Sequence, residues 1–195
     1  RICALLEQHP LAIDWAAAYV RLRDLRLSAF LRELRDARSQ EPPDSETESL
    51  PRPLSVMFGL IHKHLNTEQR ALLAALSVFQ GASFDIRTAA YVSGKWRQRT
   101  NLWLKQLFRR FGRSESTDQA IATTEEEWRS VIERNLADFR DLGLIHETVG
   151  SSQRFFLSHT LSRMAAAKLD DGAETVWRRL IAFYRDLFEH RSPSY

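Results

Sequence analysis

Six histidines and a single cysteine are the residues of this sequence best suited to chemistry, and their neighbours decide what each could do. His159 follows a β-prone run, "RFFL", and falls in the first turn of a helix that Ser158 can cap. A helix N-terminus presents free N–H groups and a partial positive charge, so it favours anions. An imidazole placed there can donate to a phosphate oxygen; the same residue also reads as an ordinary interface histidine. His9 and Pro10 mark a second boundary, within "LLEQHPLAIDWAAAYVRL". Proline disfavours the α region for the residue before it, which predicts that the first helix stops around Gln8. Pro10 itself suits the first turn of the next helix, where its missing N–H leaves nothing unpaired. That corner is either plain architecture or the edge of a ligand pocket.

Other chemistries find little support. His62 and His64 stand two apart on a helix and therefore point to different faces, so one ion cannot take both. With one cysteine, Cys3, and no H-E-x-x-H or C-x-x-C, no metal site and no internal disulfide are expected. No G-x-S-x-G nucleophile motif occurs, so nothing points to nucleophilic catalysis. The stretch "KWRQRTNLWLKQLFRRFGR" over 95–113 carries seven Lys/Arg and no acid, with Trp96, Trp103, Leu107 and Phe111 near helical spacing. It could touch nucleic acid, an acidic partner or an anionic membrane, or it could pack by its aromatic face and solvate its basic one.

The elements that must position these residues are helical in the main. With 195 residues, 44% hydrophobic content, 27% charge and a net charge of +3, the chain reads as a soluble globular segment of one ordinary domain or two small ones. No apolar run is long enough to span a membrane, and no secretory signal pattern opens the chain, which begins at Arg1 as though inside a larger protein. Cysteine usage suits a reducing, cytoplasmic setting. Residues 10–25 are apolar almost all round and predict a buried helix; a second is expected at Ser28–Ser39 with Ser28 as cap. "QEPPDSETESLPRP" reads as a linker. Further helices are expected after Pro53, after the cap Asn66, and over "FDIRTAAYVSG" up to Gly94, then a loop at "SESTDQAIATT". A long helix follows over about Glu125–Leu142, with Thr124 as cap and Gly143 as stop. Two β-prone runs flank Gly150-Ser151-Ser152 and predict a hairpin, and helices follow at "SHTLSRMAAAKL" and 173–190. On the last helix Trp177, Leu180, Ile181, Tyr184, Leu187 and Phe188 lie along one stripe.

This order of elements predicts a mainly α fold: a small helical subdomain, a winged-helix domain with one β-hairpin, and the start of a further helical region. The expected divisions are 1–39 for the helical subdomain, 40–52 for a linker and hinge, 53–169 for the winged helix with a basic insertion at 95–124, and 170–195 for the start of the C-terminal region. A winged helix invites a DNA-binding reading. The recognition helix would hold Glu125, Glu126, Glu127, Glu133, Asp138 and Asp141 against Arg129, Arg134 and Arg140, six acids against three bases, which suits it badly to phosphates.

Three stretches together resemble the STAND-type P-loop ATPases, the group containing the AP-ATPase and NB-ARC switch proteins. "QHPLAIDWAAAYVRL" is similar to that family's GxPLALxLAA segment, "LNTEQRALLAALSVFQGASFDIRTAAYVSG" to its winged-helix opening, and "FFLSHTLSRMAAAKL" to its wing exit, L-H-D-L-x-R-x-x-A. The resemblance implies a regulatory nucleotide-sensing and oligomerisation module that latches ADP in the inactive state and releases it for ATP. It implies ADP/ATP binding at His9, Pro10, Ser158 and His159, with Pro10 against the adenine or ribose and His159 on the β-phosphate. It further implies a P-loop nucleotide-binding domain of the same chain as partner and Mg supplier, and a homo-oligomer on activation, with a protein ligand also to be expected. The departures are Gln8 where the family has Gly, Thr160 where it often has Asp, and the insertion after Gly94. No G-x-x-x-x-G-K-[ST] occurs, so this segment is not expected to hydrolyse ATP unaided. The alternative reading is a winged-helix transcription regulator binding DNA through 95–113.

Overall fold

The computed structural model describes residues 1–40, 51–94, 115–148, 153–168 and 172–191, with side chains from 127 in the third stretch and up to 189 in the last. Residues 41–50 of the linker expected at 40–52, the basic stretch 95–113 and the hairpin tip at 149–152 lie outside these residues, while Gln40 and Arg52 at the linker's ends are helical. The order of elements is α1 (Ile2–Leu5), α2 (Pro10–Leu22), α3 (Leu27–Gln40), α4 (Arg52–His64), α5 (Thr67–Leu76), a 3-10 turn (Ser77–Phe79), β1 (Ser83–Phe84) and α6 (Ile86–Val92). Then come α7 (Glu115–Asp141), β2 (Ile145–Thr148), β3 (Arg154–Leu157), α8 (His159–Ala166) and α9 (Ala173–Arg191). The chain is mainly helical with one small antiparallel sheet containing one hairpin, as its pattern predicts.

Side-chain caps set several of these boundaries. Asn66 and Gln69 form a reciprocal capping box: the Gln69 N–H donates to Asn66 Oδ1 at 2.8 Å and the Asn66 N–H to Gln69 Oε1 at 3.0 Å. Asp85 accepts from both the backbone N–H and the hydroxyl of Thr88 at 2.7 Å. Ser158 accepts from the Leu161 N–H at 3.3 Å. Several boundaries differ from the sequence pattern: α1 ends at Leu5 rather than around Gln8, and α2 at Leu22 rather than at 25. Helix α3 begins at Leu27, so Ser28 lies inside it rather than capping it. Helix α7 starts at Glu115, and the expected loop "SESTDQAIATT" is helical from that residue onward. Nothing in the stretch breaks a helix (no Gly, no Pro), so the turn packed through Ile132, Leu136 and Phe139 can propagate N-terminally.

The sheet is ordered β1-β3-β2. Ile145 pairs with Leu157 and Glu147 with Phe155 in the hairpin, while Phe84 pairs with Phe155 on the other side. The two-residue β1 is the element that sequence pattern missed. Phe84 holds it in place by stacking on Phe79 at 4.8 Å and approaching Phe155 at 6.2 Å. Arg154 also clamps it, donating to the Ser83 hydroxyl and carbonyl at 3.0 and 2.9 Å.

One hydrophobic cluster runs through the molecule. It joins Leu6, Trp15, Tyr19, Phe30 and Leu34 of the first three helical segments to Met57, Leu73, Phe84, Phe139, Leu157 and Leu180. Trp15 is 1% exposed, and its indole Nε1 donates to the Gly143 carbonyl at 2.9 Å. Gly143 has φ +71°, the left-handed conformation that glycine adopts without strain, and so ends α7 and turns the chain into β2. The stripe read on α9 divides. Val176 and Leu180 are buried and Phe183 meets Tyr91 of α6 edge-on at 5.2 Å. Ile181 and Phe188 face outward at 64% and 70% exposure, with Trp177 and Tyr184 beside them. A 3.6-residue period allows either face, and contact with α6 selects one. Among the described residues no helix is long and apolar enough to cross a membrane.

Candidate functional site

His159 opens α8 directly after strand β3, and its side chain is exposed. Register places it: Leu157 is locked to Ile145 and fully buried, so the next residue, Ser158, must turn the chain, and its hydroxyl caps α8. The N–H groups of His159 and Thr160 have no acceptor among the described residues, as expected for the first turn of a helix. The turn Gln80-Gly81, with φ of +47° and +93°, abuts this point. A Cβ on Gly81 would stand 4.0 Å from both the His159 nitrogen and the Leu157 carbonyl oxygen. The result is an exposed imidazole beside unpaired backbone donors on a rigid strand-to-helix corner, an arrangement that suits an anion.

His9 is the N-cap residue of α2, with extended backbone and no side-chain cap bond, and Pro10 is the first helical residue. The His9 side chain is half-buried and its Nδ1 is shielded from solvent without a partner. Glu7 and Gln8 both adopt positive φ, +52° and +56°. The structure therefore gives a physical meaning to the Gln8 departure: a glycine would take this conformation freely, whereas glutamine is strained in it. Arg38 of α3 holds the turn by donating to the Leu5 carbonyl and pairing with Glu7 at 2.9 Å. No hydrogen bond or ring contact among the described residues joins His9 or Pro10 to Ser158 or His159. The link between the two corners is indirect. It runs from Trp15 of α2 to Gly143, into β2, and across the ladder to the end of β3.

A polar junction that sequence pattern did not single out lies where α2, α3 and α4 meet. The Tyr19 hydroxyl donates to Glu33 Oε2 at 3.0 Å, and the Tyr19 ring lies 5.5 Å from His64 and 5.8 Å beneath the Arg23 guanidinium. Burial first, and then the Glu33 carboxylate, raise the Tyr19 pKa well above the ordinary phenol value, so the group stays protonated and acts as a donor. Burial and the nearby Arg23 lower that of His64. Tyr19, Arg23 and His64 line a cleft of about 240 Å³ that Gln69 and Asp138 close, these two bonded to each other at 2.8 Å. Glu33 and His64 also border an open groove of about 600 Å³ between α3 and α4. Tyr19 and Glu33 are 14 residues apart on separate helices, so no local pattern announces them.

Among the described residues no group of His, Cys, Asp and Glu is placed to hold a metal ion, and Cys3 is an exposed free thiol. Comparison with protein-family models, with curated proteins and with solved structures found no match for this chain.

Proposed function

We propose that this chain is a regulatory module of a nucleotide-dependent switch ATPase of the STAND type, latching ADP in the inactive state and exposing an assembly surface when ATP replaces it. The observation that carries the reading is the α8 corner, where exposed His159 stands beside unpaired N–H groups next to the Ser158 cap. A β-phosphate there would accept from the imidazole and from the backbone, while the P-loop and magnesium come from a nucleotide-binding domain outside this sequence. Pro10 offers a rigid apolar ring to the base or ribose from the α2 corner, with His9 behind it. The proposed setting is cytoplasmic, with homo-oligomerisation on activation.

The test is ADP release from the chain joined to its nucleotide-binding domain, followed with a fluorescent analogue. A hydrogen bond to an anion contributes roughly 1.5–3 kcal/mol, so His159→Ala is expected to weaken ADP binding about ten- to a hundredfold. The latch loosens with it, because nucleotide and module stabilise each other reciprocally. Thr160→Ala serves as the control and should change little. An unchanged off-rate in His159→Ala returns this histidine to an interface role.

A further inference from the structure

Away from the His159 corner, a groove of about 510 Å³ collects His62 at the end of α4, Thr67 and Arg70 of α5, Lys168 just past α8, and Thr175 and Arg179 of α9. Three permanent cations and the hydroxyl residues Thr67, Ser93 and Thr175 thus line one concavity, and no carboxylate lines it among the described residues. None of the three cations meets a carboxylate in an ion pair among those residues. Arg70 spends two donors on the last carbonyls around α4, Leu65 at 2.8 Å and Lys63 at 3.3 Å. Arg179 gives one to the Val92 carbonyl at 3.2 Å, at the end of α6. Gly94 makes room for this, since a Cβ there would come within 2.7 Å of the guanidinium. Each guanidinium keeps further N–H donors. The Lys168 ammonium meets no hydrogen-bond or ion-pair partner among the described residues.

We propose that this groove is a binding site for a diphosphate-bearing small molecule, distinct from the His159 corner and independent of the switch reading. Unneutralised cations converging on a cleft concentrate anions there. Donors arriving from three helices suit tetrahedral oxyanions better than a planar carboxylate, which one guanidinium fork satisfies. One phosphate group carries roughly −1.5 to −2 and leaves at least one of the three cations unmatched; two phosphates match them. The volume is within the usual range for small-ligand pockets. His62 reports the same field: burial first, and then Lys168 and Arg70, lower its pKa.

The experiment titrates the chain with inorganic pyrophosphate by calorimetry at low and physiological salt, and follows the His62 ring C–H resonance by NMR. Pyrophosphate should bind and move the His62 titration midpoint upward by cancelling its cationic neighbours. Lys168→Glu should weaken binding at least tenfold, Lys168→Arg less than threefold, and His159→Ala not at all. A uridine diphosphate arm separates sources: tighter binding than pyrophosphate assigns an organic diphosphate, equal binding assigns the free ion. Asp170 and Asp171, next along the chain, lie outside the described residues, and D170N/D171N should bind at least as tightly. The proposal is overturned if Lys168→Glu binds like the wild type, if sulfate competes at equal affinity, if D170N/D171N abolishes binding, or if saturating pyrophosphate leaves the His62 resonance unmoved.

Discussion

Replacing Trp15 with Phe tests whether α2 is clamped to the hairpin as the geometry requires. Trp15 is 1% exposed and its Nε1 donates to the Gly143 carbonyl at 2.9 Å across 128 residues of sequence. Phenylalanine keeps an aromatic ring but removes the donor, leaving a part-buried carbonyl with one fewer partner at a cost of about 1–3 kcal/mol. It also removes two ring carbons from the core, worth roughly 0.8 kcal/mol each. The sum centres near 3 to 4 kcal/mol. A chain of this length shifts its Tm by about 2–4 °C per kcal/mol, so Trp15→Phe should melt roughly 6–16 °C lower. Urea unfolding followed by far-UV circular dichroism gives the free energy directly, and Trp177→Phe provides the matched control. Trp177 is 44% exposed, and the same substitution there should cost under about 0.5 kcal/mol. A loss below about 1 kcal/mol for Trp15→Phe would refute the clamp, since neither the carbonyl nor the cavity would then have cost what burial demands.

Gln8 at φ +56° carries left-handed strain of about 1–2 kcal/mol, against which glycine's extra unfolded-state freedom costs roughly 0.5–1 kcal/mol. Gln8→Gly should therefore stabilise the chain by about 0.5–1 kcal/mol in urea melts, and a destabilisation would contradict the assigned backbone. Tyr19→Phe removes the bond to Glu33 and should cost about 1 kcal/mol at pH 7. Because the folded-state pKa of Tyr19 is raised, its contribution is complete below the ordinary phenol pKa of about 10 and is lost as pH climbs above it. The gap between wild type and Tyr19→Phe should accordingly narrow above about pH 10; parallel pH–stability curves would show that Tyr19 titrates normally.

Sequence alone determined what depends on neighbours a few residues apart. The Asn66 and Ser158 caps and the Gly143 stop all act within one helical turn, so residue type and spacing identify them; the structure adds Gln69 as the second half of the Asn66 capping box and Asp85 as the cap of α6. Amphipathic period likewise marked α4 and α5, and β-prone runs around Gly150-Ser151-Ser152 marked the hairpin. It placed His159 at the first turn of α8 for the same local reason. Tertiary structure decided everything that pairs distant parts of the chain. Two residues, Ser83 and Phe84, carry no strand signal of their own and become β1 only because Phe155 and Phe156 offer them a ladder. The outward face of α9 is set by its contact with α6, since the helix is apolar on more than one side. Gln8 violates local preference because the Arg38 clamp and the core beneath Leu6 fix the turn that it occupies. The convergence of His62, Arg70, Lys168 and Arg179 spans more than a hundred residues. Charges that far apart in sequence share a field only after the fold brings them to one groove, because Coulomb energy falls with distance.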